Sequence, residues 1–567
     1  MGPKRKRAQR PASESGVDYD DGYDNSGDSD GSLYNDTRPS GTKKTRGTRQ
    51  ATHRTRKKGH KDDNSIVVNS ISGHSVTMHV ITAVEPARAA LLEWYDRVHD
   101  ARKMPWRKKF DPSLDIEGRA QRAYEVWVSE IMLQQTQVAT VIPYYNRWMA
   151  KFPTIKDLAA SDIETVNSLW KGLGYYSRAA RLLNGAQKTV KELQGRLPDN
   201  AKDMETKIPG VGRYSAGAIC SIAYNHCVPV LDGNVHRLLS RFTALYAQPK
   251  SKQTLDILWT GAESFIEQSK RPGDINQALI ELGSTVCTVR DPVCSDCPLR
   301  LWCKAYERTQ RSQGSHSNAV EPDIEELCLV CEPIPSDEDN GFVTIYPMKA
   351  ERKKAREELD SVNVIEWRSK NKQERLFLLV RRPEGGLLAG LHEFPTASNL
   401  SNAKASASNV AQIPYTLLKE LLMHPPHLSQ SENQRLAKQV NFEPLYYVPK
   451  ITHVKPAGDV VHIFSHIKKT YRVQWVLLES EGDEPPQFRS TVYPDQVTRK
   501  NGNRARKPKG KQRRLEETSE LSEVEVDATP KTLSAQWVSL AQVEDVNIST
   551  GVLKVWKLVK RLWAVTR

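Results

Sequence analysis

Four cysteines, Cys287, Cys294, Cys297 and Cys303, fall within 17 residues in the order C-x6-C-x2-C-x5-C. Thiols that close in sequence cannot all pair as unstrained disulfides, and the set suits either tetrahedral zinc or a [4Fe-4S] cluster. A shorter pair, Cys328 and Cys331, is half a zinc site, which a residue such as His316 or Cys227 would have to complete. Two unligated thiols in a flexible segment are an equal reading of that pair. Cys220 and Cys227 otherwise read as core residues.

Two carboxylates carry a second chemistry. Glu130 lies in the helical pattern that runs from Tyr124 through Val138, on one face with Trp127, Leu133 and Gln134. A carboxyl on an apolar face is partly desolvated, which raises its pKa and keeps a proton available at neutral pH. A surface Glu on an amphipathic helix fits the pattern equally well. Asp232, in Val230-Leu231-Asp232-Gly233-Asn234, precedes an apolar-periodic stretch and reads as a helix N-cap. An Asp at a helix start is expected to stay ionised, so it can also face a developing cation. One carboxyl that donates a proton and one that stabilises positive charge are what cleavage of a glycosidic bond requires.

These side chains need a scaffold. Residues 85–305 are dense in amphipathic helical pattern, whereas runs such as Arg375 to Val380 and Arg472 to Leu478 read as strands. Within the helical part, Ile208-Pro209-Gly210-Val211-Gly212 leads into a helix of small residues beginning Arg213-Tyr214. Gly210 and Gly212 let the backbone approach a ligand, and the opening N–H groups of a helix hold anions. This is a helix-hairpin-helix arrangement, which grips DNA phosphates without reading bases. The organisation expected is a disordered tail over 1–75, a helical domain over 85–305, a linker over 306–344, and an α+β domain over 345–565. The last carries a disordered insertion at about 480–531.

Charge supports a polyanionic partner. Lys and Arg number 83 against 68 Asp and Glu, a formal net charge of +15 over 567 residues. Blocks 1–10, 38–61 and 499–514 hold 24 basic residues and no acid. The excess therefore sits in tail and insertion, where it strengthens salt-sensitive, sequence-independent DNA association. Pro3-Lys4-Arg5-Lys6-Arg7 resembles a nuclear localisation signal, or is a plain solvated tail. The expectation is nuclear, with the mitochondrion as a further compartment, although the acidic block at 14–36 argues against a transit peptide. No apolar run reaches the length of a membrane span, and neither a membrane nor a second copy of the chain is expected as partner.

In order along the chain stand Trp127-Val128-Ser129-Glu130-Ile131-Met132-Leu133-Gln134-Gln135-Thr136, Gly172-Leu173-Gly174-Tyr175-Tyr176-Ser177-Arg178, the hairpin with Tyr214, Leu231-Asp232-Gly233-Asn234-Val235 and the four cysteines. Over about residues 90–305 this resembles the MutY-type adenine DNA glycosylases of the endonuclease III superfamily. The resemblance implies an all-α helix-hairpin-helix glycosylase core with a [4Fe-4S] loop on Cys287, Cys294, Cys297 and Cys303. It implies removal of adenine opposite 8-oxoguanine or guanine in double-stranded DNA by base excision repair. Glu130 would protonate adenine N7 and handle the attacking water, Asp232 would stabilise the sugar cation, and Tyr214 and Asn234 would support them. Relatives that also cut the strand carry Lys where this chain has Tyr214, so a water-using, monofunctional enzyme is implied.

By the same resemblance Arg107 would line the adenine pocket, Gln135 and Tyr175 would wedge the duplex during base flipping, and Thr136 and Leu173 would contact 8-oxoguanine. About ten extra residues separate Arg107 from the catalytic helix compared with bacterial relatives. Cys328 and Cys331 resemble part of a zinc-binding linker of animal members. Gly385-Gly386-Leu387-Leu388-Ala389-Gly390-Leu391-His392-Glu393-Phe394-Pro395 resembles the opening of their C-terminal Nudix-like domain. Hydrolases of that fold bind a divalent metal through downstream acids, but Thr396 to Val410 holds none, so this domain is expected to recognise rather than hydrolyse. Phe464-Ser465-His466 matches the loop that inspects 8-oxoguanine; a strand-end Phe with incidental polar neighbours is the plain alternative. Repair and clamp proteins are implied as partners, without a convincing clamp-binding motif in the chain.

Overall fold

The computed structural model describes residues 74–311, 327–335, 342–350, 354–371, 373–383, 388–401, 406–426, 448–464, 467–490, 492–494 and 533–565. Helices come first: α1 (Val84–Val98), α2 (Ile116–Leu133), α3 (Val138–Lys151), α4 (Ile155–Ala159), α5 (Ile163–Trp170) and α6 (Ser177–Glu192). They continue with α7 (Ala201–Lys207), α8 (Arg213–Ala223), α9 (Gly233–Phe242), α10 (Lys252–Ile266), α11 (Pro272–Thr285) and α12 (Lys304–Arg311). Contacts divide the chain into two compact units. The first comprises 1–142, 154–156 and 185–352, the second 143–153, 157–184 and 353–567. Part of the helical sequence thus belongs with the sheet.

In the first unit α2 packs on α8, and α11 packs on α1, α8 and α9. Asp115 caps α2 by accepting the Gly118 N–H at 2.8 Å, and Ser251 caps α10 through the Thr254 N–H at 3.2 Å. Buried Trp127, Leu239, Phe265 and Leu279 fill the centre, each such side chain stabilising by roughly 1.5–3 kcal/mol. Ala216, Gly217 and Ala218 are small enough to let neighbouring backbone come close to α8.

In the second unit Trp148 meets Phe152 and Trp170 edge-on, with ring centroids 5.1 and 5.5 Å apart. Its sheet is built from β1 (Arg356–Ser369), β2 (Arg375–Arg381), β3 (His392–Glu393), β4 (Thr396–Ala397), β5 (Lys450–Ile463), β6 (Ile467–Ser480), β7 (Val492–Pro494) and β8 (Leu533–Ser539). The order is β5-β6-β1-β2-β8-β7, with β3 on β2 and β4 on β1; β1 and β6 run parallel, as do β7 and β8. Alternation along the strands feeds two cores. Val362, Val364, Phe377, Leu379 and Val473 face α14 (Thr550–Val565) and its Trp556. Ile365, Trp367, Leu378, Val476 and Leu478 face α13 (Ala407–Leu421). The α+β reading holds for this part of the chain.

Three expected boundaries move. His74 and Ser75, assigned to the tail, are folded: Ser75 bridges to Leu327. Val343 of the expected linker, with Ile345 and Tyr346 from the start of the expected C-terminal domain, is buried against Ala244, Tyr246 and Ala305, because the apolar residues there find a partner surface. The insertion begins later than residue 480: Phe488 stacks on Trp537 with centroids 6.1 Å apart, and β7 pairs with β8. No helix among the described residues is long and apolar enough to cross a membrane.

Candidate active site and metal-binding residues

Glu130 projects from the last turn of α2 into the core beside α8 and is only 9% exposed. The Tyr214 hydroxyl, one position into α8, donates to its Oε2 at 2.8 Å. Burial lifts the Glu130 carboxyl from 4.5 to about 7; the hydrogen bond from Tyr214 and the charge of Arg107 oppose the rise, and Asp232 adds to it. Near pH 7 a substantial fraction is therefore protonated. The partly desolvated carboxyl expected from the helical pattern is present.

Asp232 is the N-cap of α9. Its Oδ1 accepts the Val235 N–H at 2.7 Å and its Oδ2 accepts from the Asn234 amide at 2.8 Å. Asn234 Oδ1 in turn accepts from Arg237, whose guanidinium also donates to the carbonyls of Gly283 and Cys287 at 2.6 and 3.0 Å. The cap is as expected, but its pKa is shifted upward. Burial pushes the Asp232 carboxyl up, and the Val235 N–H, Asn234 and Arg237 offset that only in part. Depth in the fold outweighs the helix-start effect on the Asp232 pKa.

Arg107 lies in the same unit despite the long connection to α2. It donates to Glu281 Oε2 at 2.7 Å and to the His99 carbonyl at 3.3 Å, with its guanidinium 5.5 Å from the Tyr95 ring centre. Glu281 on α11 is almost wholly buried and also pairs with Arg102 at 3.2 Å. Neither Glu281 nor Arg237 was singled out in the sequence; each lies on an otherwise ordinary helix, and only the fold gives it partners. Gln135 has φ +50° and is exposed just past α2, and Thr136 bonds the Gln134 carbonyl at 3.1 Å.

At the hairpin Gly210 has φ +79° and turns the chain. Gly212 caps α8 without a side chain, and a Cβ there would meet nothing within 4 Å. The protein does not need a glycine at 212 for its own packing; the open space beside the first N–H groups of α8 suits an approaching anion. In the second unit Leu173 is buried, while Tyr175 has φ +47° and is exposed. Phe464 closes the β5–β6 hairpin, its N–H donating to the Ile467 carbonyl at 2.8 Å. Ser465 and His466 lie outside the described residues.

Cys287, Cys294, Cys297 and Cys303 line one cavity with apolar walls of Leu238, Phe242, Val286 and Leu299. Arg241 is buried beside it and donates to Cys287 Sγ at 3.3 Å and to the Thr288, Val289 and Tyr346 carbonyls at 2.6, 3.0 and 3.0 Å. Burial and mutual repulsion push the Cys297 and Cys303 thiols up to about 12. Four thiols around one cavity fit a shared metal centre.

Cys328 and Cys331 are not an isolated pair. With His74 and His79 they form a group whose ligand atoms all lie within 4.8 Å of one another and which could hold a metal ion. His79 Nε2 is 3.4 and 3.3 Å from the two sulfurs and 3.2 Å from His74 Nε2, while its Nδ1 is 2.9 Å from the Thr243 carbonyl. The completing residues are thus neither of those named from sequence. Cys227 is exposed and contacts the Ser269 carbonyl at 3.6 Å, and His316 lies outside the described residues. The signal available was H-x4-H just before α1, hidden by its position at the edge of a biased tail.

The family model for the HhH-GPD superfamily base excision DNA repair protein matches residues 128–264. An adenine DNA glycosylase of Homo sapiens is 43% identical over 411 residues, covering 71% of this chain and 68% of that protein. One of Rattus norvegicus is 42% identical over 409 residues, covering 71% and 72%. One of Arabidopsis thaliana is 37% identical over 423 residues, covering 71% and 59%.

Proposed function

Since the chain belongs to the adenine DNA glycosylase family, enzymes that hydrolyse N-glycosidic bonds, we propose that its substrate is adenine mispaired with 8-oxoguanine or guanine in duplex DNA. The observation that carries the mechanism is Glu130, held near a pKa of 7 and hydrogen-bonded at 2.8 Å to a phenol rather than to a cation. Protonated Glu130 donates to adenine N7 as the bond from the sugar carbon to N9 breaks and its electron pair leaves with the base. Asp232 faces the positive charge that develops on the sugar, and that charge favours its ionised form over the protonated form which burial alone favours. Water then adds to the sugar carbon and passes its proton to the Glu130 carboxylate, leaving an abasic site with the strand intact. Tyr214 offers no amine for a Schiff base.

Asn234 orients Asp232, and Arg107, fixed by Glu281, lines the adenine pocket. Gly210 and Gly212 hold phosphate. Gln135 and Tyr175 wedge the duplex, and Thr136, Leu173, Phe464, Ser465 and His466 contact 8-oxoguanine from a C-terminal Nudix-like domain and from the helical core. The basic segments favour DNA association, and Lys4 to Arg7 supply a nuclear address.

The cysteine cavity and the Cys/His group fit two different metals. Cys287, Cys294, Cys297 and Cys303 would hold a [4Fe-4S] cluster, and His74, His79, Cys328 and Cys331 would hold zinc in the tetrahedral geometry that suits two thiolates and two imidazoles. The first would close a single loop of 17 residues, the second would join segments 249 residues apart, and both would contribute to folding. Metal analysis of purified protein should give four iron, four sulfide and one zinc per chain; colourless protein without iron would refute the cluster. Single-turnover excision on duplexes with adenine opposite 8-oxoguanine, guanine or thymine tests the substrate. The expected order of rates is 8-oxoguanine, then guanine, with thymine near zero, and equal rates would refute the assignment.

A further inference from the structure

The turn that carries Leu173 and Tyr175 is held from two sides within the second unit. On the inner side Trp170 Nε1 donates to the Gly174 carbonyl at 2.9 Å, and Arg178 Nη2 donates to the Leu173 and Gly174 carbonyls at 3.4 and 3.2 Å. The Tyr144 hydroxyl donates to the Lys171 carbonyl at 2.9 Å, and the Gly172 N–H donates to the Tyr176 hydroxyl at 3.2 Å. Gly172 at φ +95° and Tyr175 at φ +47° are backbone states that side chains resist, so the turn depends on this outside support.

The outer side reaches residues almost 400 positions later. Lys171 Nζ, next to Gly172, donates to the carbonyls of Glu544 and Val546 in the segment between β8 and α14, the latter at 3.1 Å. One residue on, Asn547 Nδ2 donates to the Glu164 carbonyl and to its carboxylate at 3.1 and 3.0 Å. Arg381 at the end of β2 pairs with the same Glu164 carboxylate at 3.0 Å. The Asn547 carbonyl accepts the His392 N–H at 2.9 Å, tying the strap to the strand that follows the Gly390 turn. An ammonium on two carbonyls and a carboxylate bracketed by an amide and a guanidinium are charge-assisted bonds, the stronger kind.

We propose that Lys171, Glu164, Arg381 and Asn547 are positioning residues for opposite-base discrimination. They set the strained Leu173–Tyr175 turn in fixed register with the β-sheet that carries the Phe464 hairpin. The inference rests on the reading that both of these elements meet the base opposite adenine. None of the four residues touches the reacting atoms. Their contribution is to hold the two reading elements together before DNA arrives, so that ordering them costs nothing on binding.

The test uses the full chain with Lys171→Met, Asn547→Ala and Lys171→Arg. Single-turnover excision is measured on adenine opposite 8-oxoguanine and opposite guanine, with thermal melting of each variant in parallel. Lys171→Met is expected to lower the ratio of the two rates roughly tenfold, with Asn547→Ala acting in the same direction and Lys171→Arg restoring most of the ratio. An unchanged ratio in Lys171→Met overturns the proposal. So does an equal fall on both substrates, which is the mark of a general loss of structure or affinity. A wild-type ratio near one refutes the substrate reading itself, and that result needs no variant.

Discussion

Buried carboxylates occur in both units, with opposite partners. Glu366 on β1 has no exposed surface and is bracketed by Arg375 at 2.5 and 2.9 Å and Arg368 at 2.6 Å, with Trp475 Nε1 at 2.8 Å. Although burial pushes its carboxyl up, those cations win, and its pKa lies below the usual value. Glu130 is nearly as buried, but among the described residues its one hydrogen-bond partner is the Tyr214 hydroxyl, and its pKa lies well above the usual value. Desolvation acts on both; what decides is whether a cation is in hydrogen-bonding contact. A satisfied carboxylate of the first kind holds a sheet together. One of the second kind costs stability and keeps a transferable proton.

The largest effect that would sharpen this contrast is on chemistry. Glu130→Gln keeps the shape and removes the proton relay, so excision should fall by about 10³-fold or more while mismatch binding in a gel-shift assay stays near wild type. Residual excision near wild type would break the contrast at its functional end.

Next comes stability. A carboxyl raised from 4.5 to about 7 in the fold favours folding below pH 4.5, and that advantage is lost as pH rises through 7. Glu130→Gln should therefore gain up to about 3 kcal/mol over wild type at pH 8, and little at pH 4.5, in chemical denaturation. Glu366→Gln should go the other way. It should lose about 2 kcal/mol at pH 8, because two guanidiniums lose their anion, with single-turnover excision by the folded fraction unchanged. If both variants shift stability in the same direction, the cation rule fails here. The smallest effect is expected from Tyr214→Phe. Loss of a hydrogen bond that favours the Glu130 anion should move the basic limb of the excision profile up by less than one pH unit, and a downward movement would contradict the assignment.

What the sequence made readable was local. Glu130, Tyr214, Asp232 and the four clustered cysteines each sit in a short motif whose chemistry is contained in a few neighbouring residues. The runs Arg375 to Val380 and Arg472 to Leu478 likewise read as strands, which are β2 and β6. Long-range partnerships did not show. His79 meets Cys328 across 249 residues, Arg107 meets Glu281 across 174, and Lys171 meets Val546 across 375. No period or spacing marks such pairs, because loop closure over those lengths is set by the whole fold. Asp232 shows a related limit: a cap can be read from its neighbours, but depth below the surface cannot. The same applies to the grouping of residues 157–184 with the sheet, which depends on Glu164 and Lys171 finding partners beyond residue 380.

The position of His74 and His79 has a practical side. Both precede α1, so a fragment trimmed to begin at Val84 would retain Glu130, Tyr214, Asp232 and all four clustered cysteines while losing half of the Cys/His group. Cys328 and Cys331 would then lose the imidazole whose Nε2 lies 3.4 and 3.3 Å from their sulfurs and whose Nδ1 reaches the Thr243 carbonyl. Activity measured on such a fragment would report on an enzyme whose catalytic side chains are intact and whose clasp has been cut away.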